Sequence, residues 1–183
     1  MNHYGGKDMA TSFRTVRGNT LKIAEEIPED KYGFSAAPGT RTIGQLLTHI
    51  AFIPSVQTHI QGTGVTDLKA VNFPALMGQM MAQEATPRSK AEIIALLTSE
   101  ADKFAAFLEG RSDAFLAERV AVPPGGGDQQ SRSRFEMLLS CKEHEMHHRG
   151  QLMTMERMIG VTPHLTRQMM ERMAQMQAQP AAR

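Results

Sequence analysis

Apolar residues recur along much of the chain at intervals of three and four, the spacing that places side chains on one face of an α-helix. Four segments keep this pattern over several turns, and we predict them to be the main helices: residues 11–27, 42–60, 89–108 and 133–159. Capping boxes mark two of the helix starts, because Ser89 and Ser133 are each followed three residues later by Glu. Gly160 is placed to end the fourth helix.

Segments rich in Gly and Pro separate these helices, and we predict loops there: residues 27–41, 61–74, 84–89 and 122–131. Smaller elements are predicted between and after the main helices: a short helix at 74–83, a short strand within 117–123, and a fifth helix after Thr162-Pro163. Strand content is otherwise negligible. The pattern predicts an all-α fold, a four-helix bundle with either up-down or crossover connections, plus a short C-terminal helix.

Pro54 lies inside the second predicted helix, between apolar positions that belong to one face. Proline has no backbone N–H and its ring crowds the preceding turn, so we predict a kink at this point. The carbonyl of Ile50 then lacks its usual helical partner.

The length of 183 residues suits one domain spanning 1–183.

The net charge of +1 argues against a protein that binds nucleic acid by neutralising its phosphates, so we expect no nucleic-acid partner. Cys141 is the only cysteine, which excludes an internal disulfide. There is no apolar run of the roughly 20 residues that a membrane span needs, and no signal-peptide pattern, so we expect a cytoplasmic protein without a membrane partner.

The segment "CKEHEMHHRG" (141–150) places two histidines on the apolar face of the fourth helix. His144 and His148 are one turn apart, with Cβ atoms about 5–6 Å from each other, so both imidazoles can reach one cation. His147 points about 100° away from His148 and is predicted to face solvent. The pair therefore predicts two of the ligands of a metal site.

A third ligand is needed, because catalytic zinc sites commonly use three protein ligands and keep one position open. His49 is the best candidate, since it lies on the apolar face of the second helix between Leu46 and Ile53. The other candidates lie off the apolar faces or near the ends of the chain: His3, His59 and His164. Each histidine has an alternative role as a hydrogen-bonded core side chain. Three unpaired imidazoles in one core would each cost desolvation, which favours a metal site.

Residues 144–148 also match H-E-x-x-H, in which Glu is the general base of a metalloprotease. The third ligand of such proteases lies downstream, where Glu171 is the remaining candidate, so we rank this reading last. Glu145 and Gln151 are candidates for outer-sphere or proton-transfer roles. For Glu145 we favour a solvent ion pair with Arg149. For Cys141 we favour a small buried side chain over a fourth ligand.

Two of these segments resemble the signatures of the DinB-like family: "TIGQLLTHIA" (42–51) and "HEMHHRGQL" (144–152). "VRGNTLKIAEEIPEDKYGF" (16–34) resembles its first helix and following loop. The resemblance covers residues 10–165 and leaves the Met-rich extension 166–183 outside. It implies a four-helix bundle with crossover connections and a divalent metal held by His49, His144 and His148. Members of the family commonly form homodimers, and DNA binding is not implied.

Relatives in that family include S-transferases that use low-molecular-weight thiols and a mycothiol-dependent maleylpyruvate isomerase. The resemblance thus implies a metal-dependent thiol S-transferase or a small hydrolase, with a small-molecule thiol or other substrate as partner. Zinc or nickel is the expected ion, with iron and copper as alternatives. A second hypothesis is a non-catalytic, dimeric metal-binding protein of a stress response. The Met clusters at 77–81 and 169–176 are predicted to be packing or dimer surface rather than metal ligands.

Overall fold

The structure, a computed structural model, describes residues 4–123 and 130–178. Its helices are α1 (Gly6–Glu26), α2 (Ile43–Gly62), α3 (Phe73–Ala85), α4 (Lys90–Glu109), α5 (Asp113–Ala117), α6 (Arg134–Met158) and α7 (His164–Ala178). Short 3₁₀ turns occur at Glu29–Lys31 and Leu68–Ala70. Strands β1 (Arg119–Ala121) and β2 (Ser131–Ser133) pair antiparallel, with Val120 opposite Arg132. The predicted all-α bundle is confirmed. His3, residues 124–129 of the predicted loop and residues 179–183 lie outside the described residues.

Helices α4 and α6 begin at the predicted capping boxes. The Ser89 hydroxyl accepts from the Glu92 amide at 3.3 Å, and the Ser133 hydroxyl accepts from the Glu136 amide at 3.2 Å. After α6, Gly160 adopts a φ of 83°, a left-handed conformation that glycine favours at helix ends. α1 begins before the predicted start at residue 11, because the Asp8 carboxylate accepts from the amide of Gly5 and stabilises an earlier first turn.

The connection between the first two long helices crosses the bundle. α1 packs against α4 and α6, and α2 packs against the same two helices. Helices α1 and α2 therefore occupy diagonal positions, so the segment that joins them is a crossover rather than a tight hairpin. α3 packs against α2 outside the four-helix ring.

The buried side chains form two apolar clusters, one toward each end of the bundle. One includes Ile23, Tyr32, Leu47, Ile50, Leu97, Leu152 and Met155. The other includes Met9, Phe13, Phe104, Leu108, Leu138 and Cys141. Along α1 and α6, the buried charged residues Arg17 and Glu145 separate the two clusters. The core is therefore interrupted by a charged layer.

Ile93 lies on the buried face of α4, whereas Ile94 is only partly buried. The methionines of α7 were predicted to be packing or dimer surface. Met169, Met170, Met173 and Met176 are all more than half exposed and so are not core side chains of this chain, and the dimer-surface alternative stays a prediction. α5 and β2 were not predicted, because each is too short to show a period. In the part of the chain that the structure describes, no helix is long and apolar enough to span a membrane.

Candidate metal centre

Helices α2 and α6 pack together and carry the three candidate ligands on facing surfaces. The start of α2 is set by a capping box in which the Gln45 amide donates to the Thr42 hydroxyl at 3.2 Å. His49 follows about two turns later. His49 and His148 are 5% and 8% exposed, and His144 is partly buried at the edge of the same face.

The three imidazoles converge through their Nε2 atoms. The Nε2 of His144 lies 3.2 Å from that of His49 and 3.2 Å from that of His148. Across residues 4–123 and 130–178, no other group of three His, Cys, Asp or Glu side chains brings its ligand atoms so close together. The structure therefore places the three sequence-predicted ligands in one cluster.

Hydrogen bonds on the outer side of two rings orient their inner nitrogens. The Nδ1 of His49 lies 2.7 Å from a Glu84 oxygen, and the Nδ1 of His148 lies 2.8 Å from the Gln151 amide oxygen. Because an oxygen acceptor requires Nδ1–H, each ring presents a lone pair at Nε2. Gln151 was singled out from the sequence, and its contact with His148 is an outer-sphere one.

Glu84 and Arg41 are parts of this site that the sequence did not reveal. Glu84 lies near the end of α3, and Arg41 lies in the loop before α2. The Arg41 guanidinium donates to both Glu84 oxygens, at 2.6 and 3.3 Å. No local spacing links Glu84 to His49, because the contact depends on how α3 folds back onto α2.

The electrostatic environment keeps the three imidazoles neutral near pH 7. Burial lowers the pKa of His49 and of His148, in each case against an opposing hydrogen bond. Burial, followed by the neighbouring histidines, lowers the pKa of His144 to about 4. Burial alone would raise the pKa of Glu84, but hydrogen bonds from Arg41 and His49 outweigh it and hold that pKa below its usual range. Neutral imidazole is the form that binds a metal ion.

The cluster fits a divalent transition metal. Two nitrogens that are each roughly 2.0–2.1 Å from an ion at the tetrahedral angle are about 3.3 Å apart, close to the observed 3.2 Å. Without an ion, the Nε2 of His144 has at most one hydrogen to share between two facing lone pairs. Its Nδ1 is buried and has no hydrogen-bond partner. Nitrogen ligands of this type suit zinc, nickel, iron or copper.

The favoured prediction for Glu145, a solvent ion pair with Arg149, is wrong. Glu145 is 1% exposed, and its oxygens accept from Arg17 at 2.9, 3.1 and 3.0 Å. Position 145 is one turn beyond Cys141 on the buried face of α6, so its carboxylate points into the bundle. A protease of the H-E-x-x-H type needs this carboxylate free beside the metal. Glu171, the downstream ligand that reading required, is exposed on α7.

The remaining candidates are not part of the three-histidine cluster, although the His147 ring lies 4.9 Å from that of His148 and its Nε2 lies 3.2 Å from the Gln151 side-chain nitrogen. His147 is exposed, as predicted, and His59 is exposed near the end of α2. His164 is buried, with its Nε2 3.2 Å from the side-chain oxygen of Asn19. Cys141 is 1% exposed within an apolar cluster, where burial raises the pKa of its thiol, so it is a small buried side chain as predicted.

A cavity of about 820 Å³ adjoins the histidines. Its polar wall includes Arg41, Glu84, His148 and Gln151, and its apolar wall includes Leu46, Met81, Ala85 and Met155. A volume of this size accommodates a small organic molecule, and mixed polar and apolar walls are typical of such sites. A molecule in the cavity would lie against one of the candidate ligands and both of the outer hydrogen-bonding side chains.

Comparisons with known proteins agree with this architecture. The family model described as the DinB superfamily matches residues 12–152. The DinB-like protein YjoA of Bacillus subtilis is 21% identical, with 85% of this chain and 94% of that chain covered, at a TM-score of 0.61. YfiT of Bacillus subtilis is called a probable metal-dependent hydrolase with an unusual four-helix bundle topology. It is 13% identical over 88% of this chain and 91% of its own, at a TM-score of 0.66.

A third similar structure is that of the mycothiol-dependent maleylpyruvate isomerase, at 13% identity and a TM-score of 0.60. The match covers 81% of this chain but only 62% of the isomerase. A search of curated proteins found no significant match. At these identities the structural similarities establish the fold and leave activity open.

Proposed function

The chain belongs to the DinB superfamily, and from that premise we propose that it binds one divalent transition-metal ion through His49, His144 and His148. The observation that carries the proposal is the convergence of three Nε2 atoms, with His144 3.2 Å from each of the other two. Three neutral imidazoles in one place, two of them buried and one partly buried, are costly unless a shared partner satisfies them.

We further propose that the protein is a metal-dependent transferase or hydrolase for small molecules, with thiol S-transfer as the first activity to test. A divalent ion held by three neutral ligands keeps its positive charge and an open position, which lowers the pKa of a water or thiol that binds there. The adjoining cavity and the relatives described as a metal-dependent hydrolase and a mycothiol-dependent isomerase support this proposal.

The side chains around the histidines have separate tasks in this proposal. Glu84 holds the ring of His49 in the tautomer that presents Nε2, and Arg41 holds Glu84 in place. Gln151 does the same for His148. The apolar wall of the cavity, including Leu46 and Met155, excludes water from one side of a bound substrate.

The first experiment measures metal content in purified variants. His49→Ala, His144→Ala and His148→Ala are each expected to lose the bound ion. The matched control is His59→Ala, because this histidine is exposed near the end of α2, the helix that carries His49. Elemental analysis after dialysis against a weak chelator gives the ratio of metal to protein. A His49→Ala protein that keeps a full equivalent of metal would refute the three-histidine site.

The second experiment tests catalysis with the same proteins. Wild type loaded with zinc or nickel is assayed for transfer of low-molecular-weight thiols to electrophiles and for hydrolysis of small esters and amides. Activity that disappears in His144→Ala and persists in His59→Ala supports the enzyme. If the metal binds in full but no turnover depends on it, the non-catalytic hypothesis replaces this one. The homodimer stays a prediction, and sedimentation equilibrium, which gives the mass of the particle in solution, tests it.

A further inference from the structure

Arg17 of α1 is a fully buried arginine that bonds to the three other bundle helices. Its side chain is 1% exposed. Its guanidinium donates to Glu145 of α6, to the carbonyl of Leu97 in α4 at 2.7 Å and to the carbonyl of Ile50 in α2 at 3.1 Å. One side chain therefore ties all four long helices together at the charged layer of the core.

The bond to Ile50 exists because of the proline in α2. Pro54 has no N–H, so the carbonyl of Ile50 lacks its helical donor, as predicted from the sequence. Arg17 supplies the missing hydrogen, and Ile50 is the residue next to the candidate ligand His49. A buried carbonyl without a donor would be costly, so this contact sets where α2 can lie relative to α1.

The bond to Glu145 acts on the other ligand helix. Glu145 directly follows His144 and precedes His148 by three residues. Both of its oxygens accept from Arg17, in a forked geometry that fixes the rotation of α6 about its axis as well as its depth. Arg17 thus contacts groups adjacent in the chain to His49 and to His144.

We propose that Arg17 is the positioning residue of the three-histidine centre, acting through Glu145 and the Ile50 carbonyl to bring the ligand faces of α2 and α6 together. The inference rests on the proposed function, because it assumes that the centre binds a metal ion. It also gives Glu145 a role: the carboxylate is the internal partner of Arg17 and sets the angle of α6.

The competing explanation is that the ion pair only contributes to stability. A buried ion pair can often be replaced by apolar side chains without loss of stability. Such a replacement therefore distinguishes a positioning role of the Arg17–Glu145 pair from a purely stabilising one. Removing Arg17 alone leaves a buried carboxylate unpaired and destabilises the fold, so a single deletion cannot decide. The double variant Arg17→Met/Glu145→Met removes the charge and the fork together and keeps the volume.

A second buried arginine offers a matched control. Arg134 of α6 is also 1% exposed, and it donates to Gln61 of α2 at 2.7 Å. It lies ten residues before His144, about 15 Å along the helix axis. The double variant Arg134→Met/Gln61→Met therefore removes a buried bond between the same two helices far from the histidines.

The test titrates metal-free proteins with Co²⁺ and records the dissociation constant and the visible absorption bands, with circular dichroism as the check of folding. Wild type and the Arg134/Gln61 variant are expected to agree in both. The Arg17/Glu145 variant is expected to bind Co²⁺ roughly 10–100-fold more weakly, with shifted bands, as for the loss of other outer supports of metal ligands. Unchanged affinity and bands in that variant, while folded, would overturn the inference and leave the metal site intact.

Two other results are possible, and each has a defined consequence for the proposed function and for the role of Arg17. If wild type itself fails to bind Co²⁺, the proposed function falls and this inference falls with it. If the double variant does not fold, Arg17→Lys takes its place, because an ammonium still pairs with Glu145 but lacks the fork that also reaches two carbonyls. Weaker Co²⁺ binding by folded Arg17→Lys supports the inference, and wild-type affinity refutes it.

Discussion

Glu156 offers the sharpest stability prediction, because it is a fully buried carboxyl group near the end of α6. Its side chain is 0% exposed, and neither oxygen has a hydrogen-bond partner. Burial, followed by the charge of Glu26, raises the pKa of Glu156 from 4.5 to about 7, against the opposing charges of Arg167 and Arg157. The folded protein thus disfavours the ionised form.

Linkage between proton binding and folding determines whether Glu156 raises or lowers the free energy of unfolding as the pH changes. Below about pH 4.5 the carboxyl is protonated in both states, so it imposes no penalty. As the pH rises from 4.5 to 7 the unfolded state ionises first, and the free energy of unfolding falls. Above pH 7 the penalty is complete, and a pKa difference of this size corresponds to roughly 3 kcal/mol. Glu156→Gln cannot ionise, so it should match wild type near pH 4.5 and exceed it by up to about 3 kcal/mol at pH 8.

Urea denaturation followed by circular dichroism, in buffers from pH 4.5 to 8 with a chelator, measures this difference. Glu136→Gln, at the other end of α6, is the control. Hydrogen bonds from Ser133 lower the pKa of Glu136, so its contribution is present at neutral pH and disappears as the carboxylate is protonated in acid. That loss occurs largely below pH 4.5, so the Glu136→Gln difference should stay nearly constant over the measured range, whereas the Glu156→Gln difference should grow with pH. A Glu156→Gln difference that is the same at pH 5 and pH 8 would refute the reasoning.

Three further predictions concern the site and the helices. Glu84→Ala removes the acceptor that orients His49, so zinc affinity measured by chelator competition should fall about 10–100-fold, and an unchanged affinity would show that the contact is incidental. The Cys141 thiol, buried and with a raised pKa, should not react with a thiol reagent in the native protein and should react fully in denaturant; rapid native labelling would contradict its burial. Ser133→Ala removes the N-cap of α6 and should lower the free energy of unfolding by about 1 kcal/mol in denaturant titrations, whereas Ser133→Thr, which keeps the hydroxyl, should cost little.

The sequence by itself determined the features whose causes lie within a few residues of one another. The long helices follow from apolar spacing, and the starts of α4 and α6 follow from a Ser and a Glu three residues apart. The lack of a helical donor for Ile50 follows from Pro54 four residues later. The choice of His49, His144 and His148 as candidate ligands was also possible, because each lies on the apolar face of its own helix.

Only the tertiary structure decided which distant groups meet. Glu84 reaches His49 because α3 folds back onto α2, and Glu145 turns inward to Arg17, 128 positions away in the chain. The four-residue spacing between Glu145 and Arg149 predicted a solvent ion pair on α6, and that prediction was wrong. Periodicity and capping act over about four residues, whereas the partner of a buried charge is set by how helices pack, which local spacing does not encode.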